Sequence, residues 1–435
     1  MTEQDVRRER RAGAVRLFMI CVLSMAHELP GALLTIVTPT VFTKSLGLPV
    51  SHLGVFSIPV AVTALKWLWA PLVDAYGSDR FGRRRSWIVP ASLTVSLLYL
   101  VIASIEPSLD TLPWIITLFV LVKVAFSTHE IAADAYVIEA VGPKQRGIGS
   151  SAVWFGKEVG QVMGLAGTLI MVDRFGWAVG FAAVALLFSV FNAVVFLKGE
   201  VPPSEESRRA RLEGRRASIL NYVRHPINRR VLLLTFVFSF VVQMIPAVIG
   251  PFLGSKGLSL SEVGLTIGVA ASFGAGLSLA TASVVVHRIG PKRTSLFLIP
   301  IGLCALPLLI WIAASDEPSV RLVAAAIFVG SLCTAPIRMA FYAARMGWTS
   351  KAQVGTDFTT QQSLWFLGFA ASIAVSGWLA ATIGWVLFFA VNAVLTVMVV
   401  GAFVRLFDEI DDQVSRLQEN EADPLPPLSA ALSDN

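Results

Sequence analysis

Ionisable side chains stand inside long apolar runs of this chain, and their types and spacing suit groups that pair with one another, exchange protons or hold a charged solute. Lys123, Ser127, Glu130 and Asp134 follow i, i+4, i+7 and i+11, which at about 100° per residue sets all four on one narrow stripe of a helix. Lys157, Glu158 and Gln161 form a second cluster, with Lys157 and Gln161 one turn apart. His27 and Glu28 are adjacent in the first apolar run, and Lys66 precedes a Trp-Leu-Trp in the next. Late in the chain come Arg338 and a polar series, Asp357, Thr360, Gln361, Leu364 and Trp365, again at helical spacing. A charge at the centre of a membrane helix costs about 3 kcal/mol even on the lenient insertion scale, so each needs a partner or a watery cavity. Two readings follow: the stripes face a polar cavity, or they are internal ion pairs that hold helices together. Lys66 fits either, as a cavity residue or as a partner of Glu28.

The elements that carry these residues are apolar runs of bilayer-spanning length. They fall near 16–43, 52–73, 86–105, 113–140, 147–172 and 177–198, then near 230–253, 261–287, 294–314, 320–345, 353–382 and 384–406. The expectation is an all-α membrane protein of about twelve helices. Hydrophobic residues make up 55% of the 435 and charged ones 15%, with a mean hydropathy of +0.70, values foreign to a water-soluble domain of this length. A net charge of +6 is therefore directed at the anionic lipid surface and not at nucleic acid. His129 lies off the stripe of its own helix and is expected to face the first or fifth span.

The two sets of six are copies. FTKSLGLPVSHLG at 42–54 answers FLGSKGLSLSEVG at 252–264, and RFGRRRS at 80–86 answers RIGPKRT at 288–294. Duplicated units of this size are how many secondary transporters are built. The expected units are an N-terminal half over 1–198, an Arg-rich linker over 199–229, partly helical along the membrane surface, a C-terminal half over 230–407, and a disordered tail over 408–435. Lys and Arg concentrate on one side, in the N-terminal segment, at Arg80–Arg85, in the linker and at Lys292 and Arg293. By the positive-inside rule that side and both termini are cytoplasmic. Cys21, Cys304 and Cys333 lie in apolar runs without metal-ligand spacing and read as small hydrophobes.

The loop after the second span, LVDAYGSDRFGRRRSW, resembles the signature loop of the major facilitator superfamily. Asp79, Arg80, Gly82, Arg83 and Arg84 carry the match, and Ala75 stands where the family's leading Gly is usual. With Asp74 at the end of the second span and Glu139 at the end of the fourth, the resemblance implies a cytoplasmic ion-pair lock that opens during alternation. WAPLVD, HEIAADAY, RGIGSSAVWFGKEVG and GTDFTTQQSL are similar to the branch that holds AmpG muropeptide permeases, acetyl-coenzyme A transporters and RhtX/FptX-type siderophore permeases. That branch usually has Gln-Asp where this chain has His129-Glu130, and Gln-Gly-x-Pro where it has His27-Glu28-Leu29-Pro30. In the superfamily fold the first, fourth, seventh and tenth helices line a central cavity.

No nucleotide-binding loop, catalytic triad, metal or cofactor motif is present in the sequence; GAG within ASFGAG at 271–276 follows no strand and reads as a close-packing site. The expectation is a monomeric, non-enzymatic permease of the bacterial inner membrane, moving an organic solute by proton-coupled import. The resemblance, with the twelve-helix length, implies a siderophore first, and a muropeptide, another amphipathic anion or export as alternatives. A membrane receptor or scaffold is the reading from another class. Asp134 is the expected proton carrier, with Glu130 or His129 beside it, and Arg338 the expected holder of a substrate anion.

Overall fold

Lipid offers no hydrogen bonds, so each apolar run must satisfy its own backbone, and the chain is helical almost throughout. The computed structural model describes residues 3–78, 80–140, 146–197, 219–277, 288, 292–293, 307–315, 318–349 and 354–422. Among these, ten helices are long and apolar enough to cross a bilayer. We number them with their fellows in chain order: α1 Leu17–Lys44, α2 Val50–Leu68, α3 Arg85–Ser104 and α4 Leu112–Val137. In α5, Arg146–Val162 continues through a π turn to Thr168–Phe175, and α6 is Trp177–Phe196. The second half has α7 Pro226–Ser255, α8 Leu260–Leu277, α9 described over 307–314, α10 Val320–Gly347, α11 Asp357–Ile383 and α12 Trp385–Arg416. This is an all-α membrane protein whose layout fits two six-helix repeats. Leu93, Leu97, Leu100 and Val101 on α3, Leu186 and Val190 on α6, and Val394 and Met398 on α12 are exposed, an outer surface suited to hydrocarbon.

The repeat seen in the sequence is repeated in backbone conformation. Gly47 after α1 and Gly257 after α7 have φ of 73° and 88°, and Gly176 before α6 and Gly384 before α12 have 86° and 78°. Each sits where an L side chain is strained, so Gly recurs at corresponding turns of both halves. Two boundaries differ from the sequence expectation. The helix that begins as α12 continues to Ala422, because Ile410 and Val414 are buried, Asp408 pairs with Lys292 and Glu409 with Arg230, and Trp348 Nε1 donates to Asp411 Oδ1 at 3.2 Å. Residues 408–422 are thus a helical extension and not a disordered tail. The linker's described end, Ile219–Arg224, is a short helix leading into α7 at Pro226.

Contacts between the halves cluster on the face remote from the N-terminus, and they use missing side chains. A Cβ on Gly54 of α2 would stand 3.1 Å from the Ala374 carbonyl oxygen of α11, and one on Gly377 would collide with the Val50 carbonyl. A Cβ on Gly264 of α8 would stand 3.0 Å from the Leu169 Cβ of α5. Asp173 Oδ2 accepts from Ser261 Oγ at 2.5 Å and from its backbone N–H at 3.2 Å. Gly274, in the GAG of α8, lies against the Phe328 carbonyl of α10, the close packing expected there.

Candidate functional site

Glu130 is the centre of the polar cluster in the N-terminal half. Its Oε2 lies 3.1 Å from Lys66 Nζ of α2, and its Oε1 lies 3.4 Å from His27 Nε2 of α1. Three helices thus meet at one carboxylate, with all three side chains largely withdrawn from solvent. Lys66 is thereby the partner of Glu130 and not of Glu28. Glu28 is paired instead with Lys157 of α5, 3.8 Å away. Lys66 Nζ also stands 5.3 Å from the Phe366 ring of α11, so the cluster reaches the other half at mid-membrane. Lys123, about two turns before Glu130 on the stripe, is buried, 5.4 Å from the Phe126 ring.

His129 is not at α1 or α5. Its Nε2 lies 2.5 Å from Asn192 Oδ1 of α6, and its ring packs against Phe126 and Phe188 at centroid separations of 5.9 and 5.2 Å. The face of α4 opposite the charged stripe meets α6, which is why an off-stripe residue lands in that core. Glu130 is enclosed by two basic groups, whereas Asp134 is exposed and lies within electrostatic reach of Lys157 of α5 and Tyr342 of α10.

The second cluster lies across the seam. Glu158 and Gln161 of α5, Arg338, Tyr342 and Arg345 of α10, and Gln362 and Trp365 of α11 line one cavity of about 350 Å³. Arg338 thus shares its wall with Glu158, whereas Glu28 and Glu130 are occupied by lysines and His27. Arg345 is only 2% exposed. Its Nη2 donates to Gln362 Oε1 at 2.9 Å, and its guanidinium lies among the rings of Trp365, Phe341, Tyr342 and Phe358 at 5.0, 5.5, 5.6 and 5.7 Å.

The polar series on α11 is turned by about one residue from its expected aspect. Gln361 points away from the cavity, its Nε2 donating to Tyr222 Oη at 2.9 Å, and Asp357 is fully buried without lining the cavity. Phe358, Gln362 and Trp365, spaced i, i+4 and i+7, face Arg345 of α10; of the expected series, Trp365 does line the cavity. Arg345, Tyr342 and Gln362 were not singled out by sequence reasoning. The signal available was Arg338, Tyr342 and Arg345 at i, i+4 and i+7, masked because Arg345 closes the expected span, where a basic residue normally marks topology.

The loop between α2 and α3 is held by its own hydrogen bonds. Gly82 N donates to Ser78 O at 2.9 Å with φ 106°, and Trp87 Nε1 donates to Tyr76 O at 2.6 Å. Arg80 is exposed and Arg84 buried, with Arg83 between these extremes. Asp79 and the side chains of Asp74 and Glu139 lie outside the described residues, and the expected lock with them.

Comparison with known proteins agrees with this geometry. The family model described as Major Facilitator Superfamily matches residues 17–330. An anhydromuropeptide permease of Escherichia coli is 23% identical over 379 residues, covering 86% of this chain and 76% of that one. A putative AmpG transporter of Rickettsia conorii is 24% identical over 288 residues, covering 63% and 68%. Among solved structures, a bacterial homologue of the human lysosomal transporter Spinster, inward-facing and unoccupied, superposes with a TM-score of 0.70 at 15% identity, covering 92% of this chain and 98% of that one. A nucleoside transporter gives 0.68 at 12%, covering 90% and 100%. Duplicated halves, buried charge at their seam and a match over most of its length together make this chain a member of the major facilitator superfamily.

Proposed function

We propose that this protein is a secondary active permease that imports an anionic cell-wall fragment of the anhydromuropeptide kind across a bacterial inner membrane, driven by protons. The observation that carries the reading is the layout of charge around the seam: a Lys66–Glu130–His27 cluster on one side and a cavity bearing Arg338 and Arg345 on the other. Groups so placed can hold an anion and exchange a proton while the halves rock about them. The relatives favour a muropeptide over the siderophore expected from the sequence, since those matched carry anhydromuropeptide permease and AmpG names. With both termini cytoplasmic, the contacts on the remote face give an inward-facing state.

The test is uptake of a labelled anhydromuropeptide into proteoliposomes containing the full chain. Accumulation above the outside concentration under an inwardly directed pH gradient, abolished by a protonophore, is expected. Uptake no faster than in protein-free liposomes would remove the anhydromuropeptide as the substrate.

A further inference from the structure

Among the described residues, Arg345 is a buried cation without a counter-ion. No carboxylate of the described residues lies within ion-pair distance of it. One amide and four aromatic rings hold it, and its Nε and Nη1 make no hydrogen bond among the described residues. Ring faces offset part of the burial cost of a guanidinium, but unused donors on a buried charge call for an acceptor. The rings hold the guanidinium in the cavity wall with these donors just covered, so a small side-chain shift presents them to an anion in the cavity.

The cavity has a second chamber. Beyond Gln161, Ala271, Ser331 and Arg338, which belong to both, a space of about 250 Å³ runs into the C-terminal half between α7, α8, α10 and α12. Ile245, Ile249, Ile267, Leu309, Ile327 and Val397 supply its walls. A polar vestibule opening into a greasy chamber is shaped for a molecule with one charged end and one apolar end.

We infer that the transport site takes an amphipathic anion, its acidic group on Arg345 and its apolar portion threaded past Arg338 and Ser331 into the chamber of the C-terminal half. The inference rests on the reading of the seam cavity as the substrate site and names the chemistry that site selects. Glu158 acts electrostatically on Arg338 at the neck, whereas the groups acting on Arg345 are Tyr342 and Tyr222, so the charge without an acidic neighbour among the described residues is that of Arg345.

The experiment measures binding, not transport. Calorimetric titration of the full chain in nanodiscs, corrected against empty nanodiscs, uses acetate, hexanoate, octanoate, decanoate and 1-octanol as probes. Affinity is expected to rise about threefold to fourfold per methylene from hexanoate to decanoate, with acetate and 1-octanol bound at least tenfold more weakly than octanoate. Arg345→Gln should lower affinity for every carboxylate about tenfold or more, the loss of a charged hydrogen bond. Ser331→Leu at the neck should flatten the dependence on chain length. Arg345→Lys, which keeps the charge but not the planar donors, serves if Arg345→Gln does not insert, and should lose part of the affinity. Equal binding of octanoate and 1-octanol, or an undiminished chain-length dependence in Ser331→Leu, would overturn the assignment. A normal carboxylate series alongside failed anhydromuropeptide uptake upholds this site and overturns only the substrate named above.

Discussion

Glu130 shows what a single intramembrane residue commits a fold to. Its carboxylate is reached by α1 and α2 from separate directions, so its removal leaves Lys66 as an unpaired cation in a dry place. Glu130→Gln should cost about 3 kcal/mol or somewhat more, whereas Lys66→Met combined with Glu130→Gln should recover most of that, because a buried pair replaced whole is far less damaging than one broken. Thermal melting of the purified variants in detergent reads this out; a double variant no more stable than Glu130→Gln would mean the pair is not coupled. That these residues were special was legible from hydropathy alone, since charge in an apolar run must be compensated. Their partners were not legible. Which of Glu28 and Glu130 receives Lys66 depends on how α1, α2 and α4 are rotated against one another, and His129 turned to Asn192 because an aromatic core lay on that side.

At the scale of the element, length and position of the helices followed from apolar runs, but their rotation did not. On α11 the polar residues Asp357, Thr360 and Gln361 are turned into the protein interior, and the aromatic and amide face 358, 362, 365 meets Arg345, an aspect set by packing against α7 and α10 that no one-helix periodicity contains. The helical extension to Ala422 was hidden for the same reason: its acidic composition reads as disorder until Lys292, Arg230 and Trp348 are brought beside it. Glycines at the crossing of α2 and α11 show packing that the repeat did reveal in outline, since Gly54 and Gly264 are equivalent positions of the two copies. Gly377→Leu has no space beside the Val50 carbonyl and should wedge α11 from α2 on the remote face. Spin labels at Ser45 and Thr382, one in each half on that face, should move apart by roughly a helix radius, about 5 Å or less, and substrate exchange should slow. An unchanged distance distribution would show that this crossing does not seal that face.

Across the described residues, the two halves share the conformation of corresponding turns and differ in charge. The N-terminal half holds acids and lysines in paired clusters; the C-terminal half contributes arginines, aromatic rings and a greasy chamber. The division suits a carrier in which one half handles the driving ion and the other the anion, with the seam between them closed on one face at a time. Within the N-terminal half the carboxylates are not equivalent. Glu130 is engaged by Lys66 and His27, and Glu28 by Lys157, whereas Asp134 stands one turn further along α4 and is exposed. A proton carrier must gain and lose its proton against a solvent that changes sides, so the exposed member of the stripe is better placed than the enclosed one. Asp134→Asn should therefore abolish accumulation against a gradient while leaving downhill exchange of preloaded substrate within about twofold of wild type, since one protonation state fixed for good decouples the ion but not the rocking. Parallel measurements in proteoliposomes, with an imposed pH gradient and with none, separate the two activities. Uphill accumulation that survives Asp134→Asn would move the coupling away from α4 and onto Glu158, the carboxyl that shares the cavity with Arg338, and would then join proton and substrate in one site instead of two.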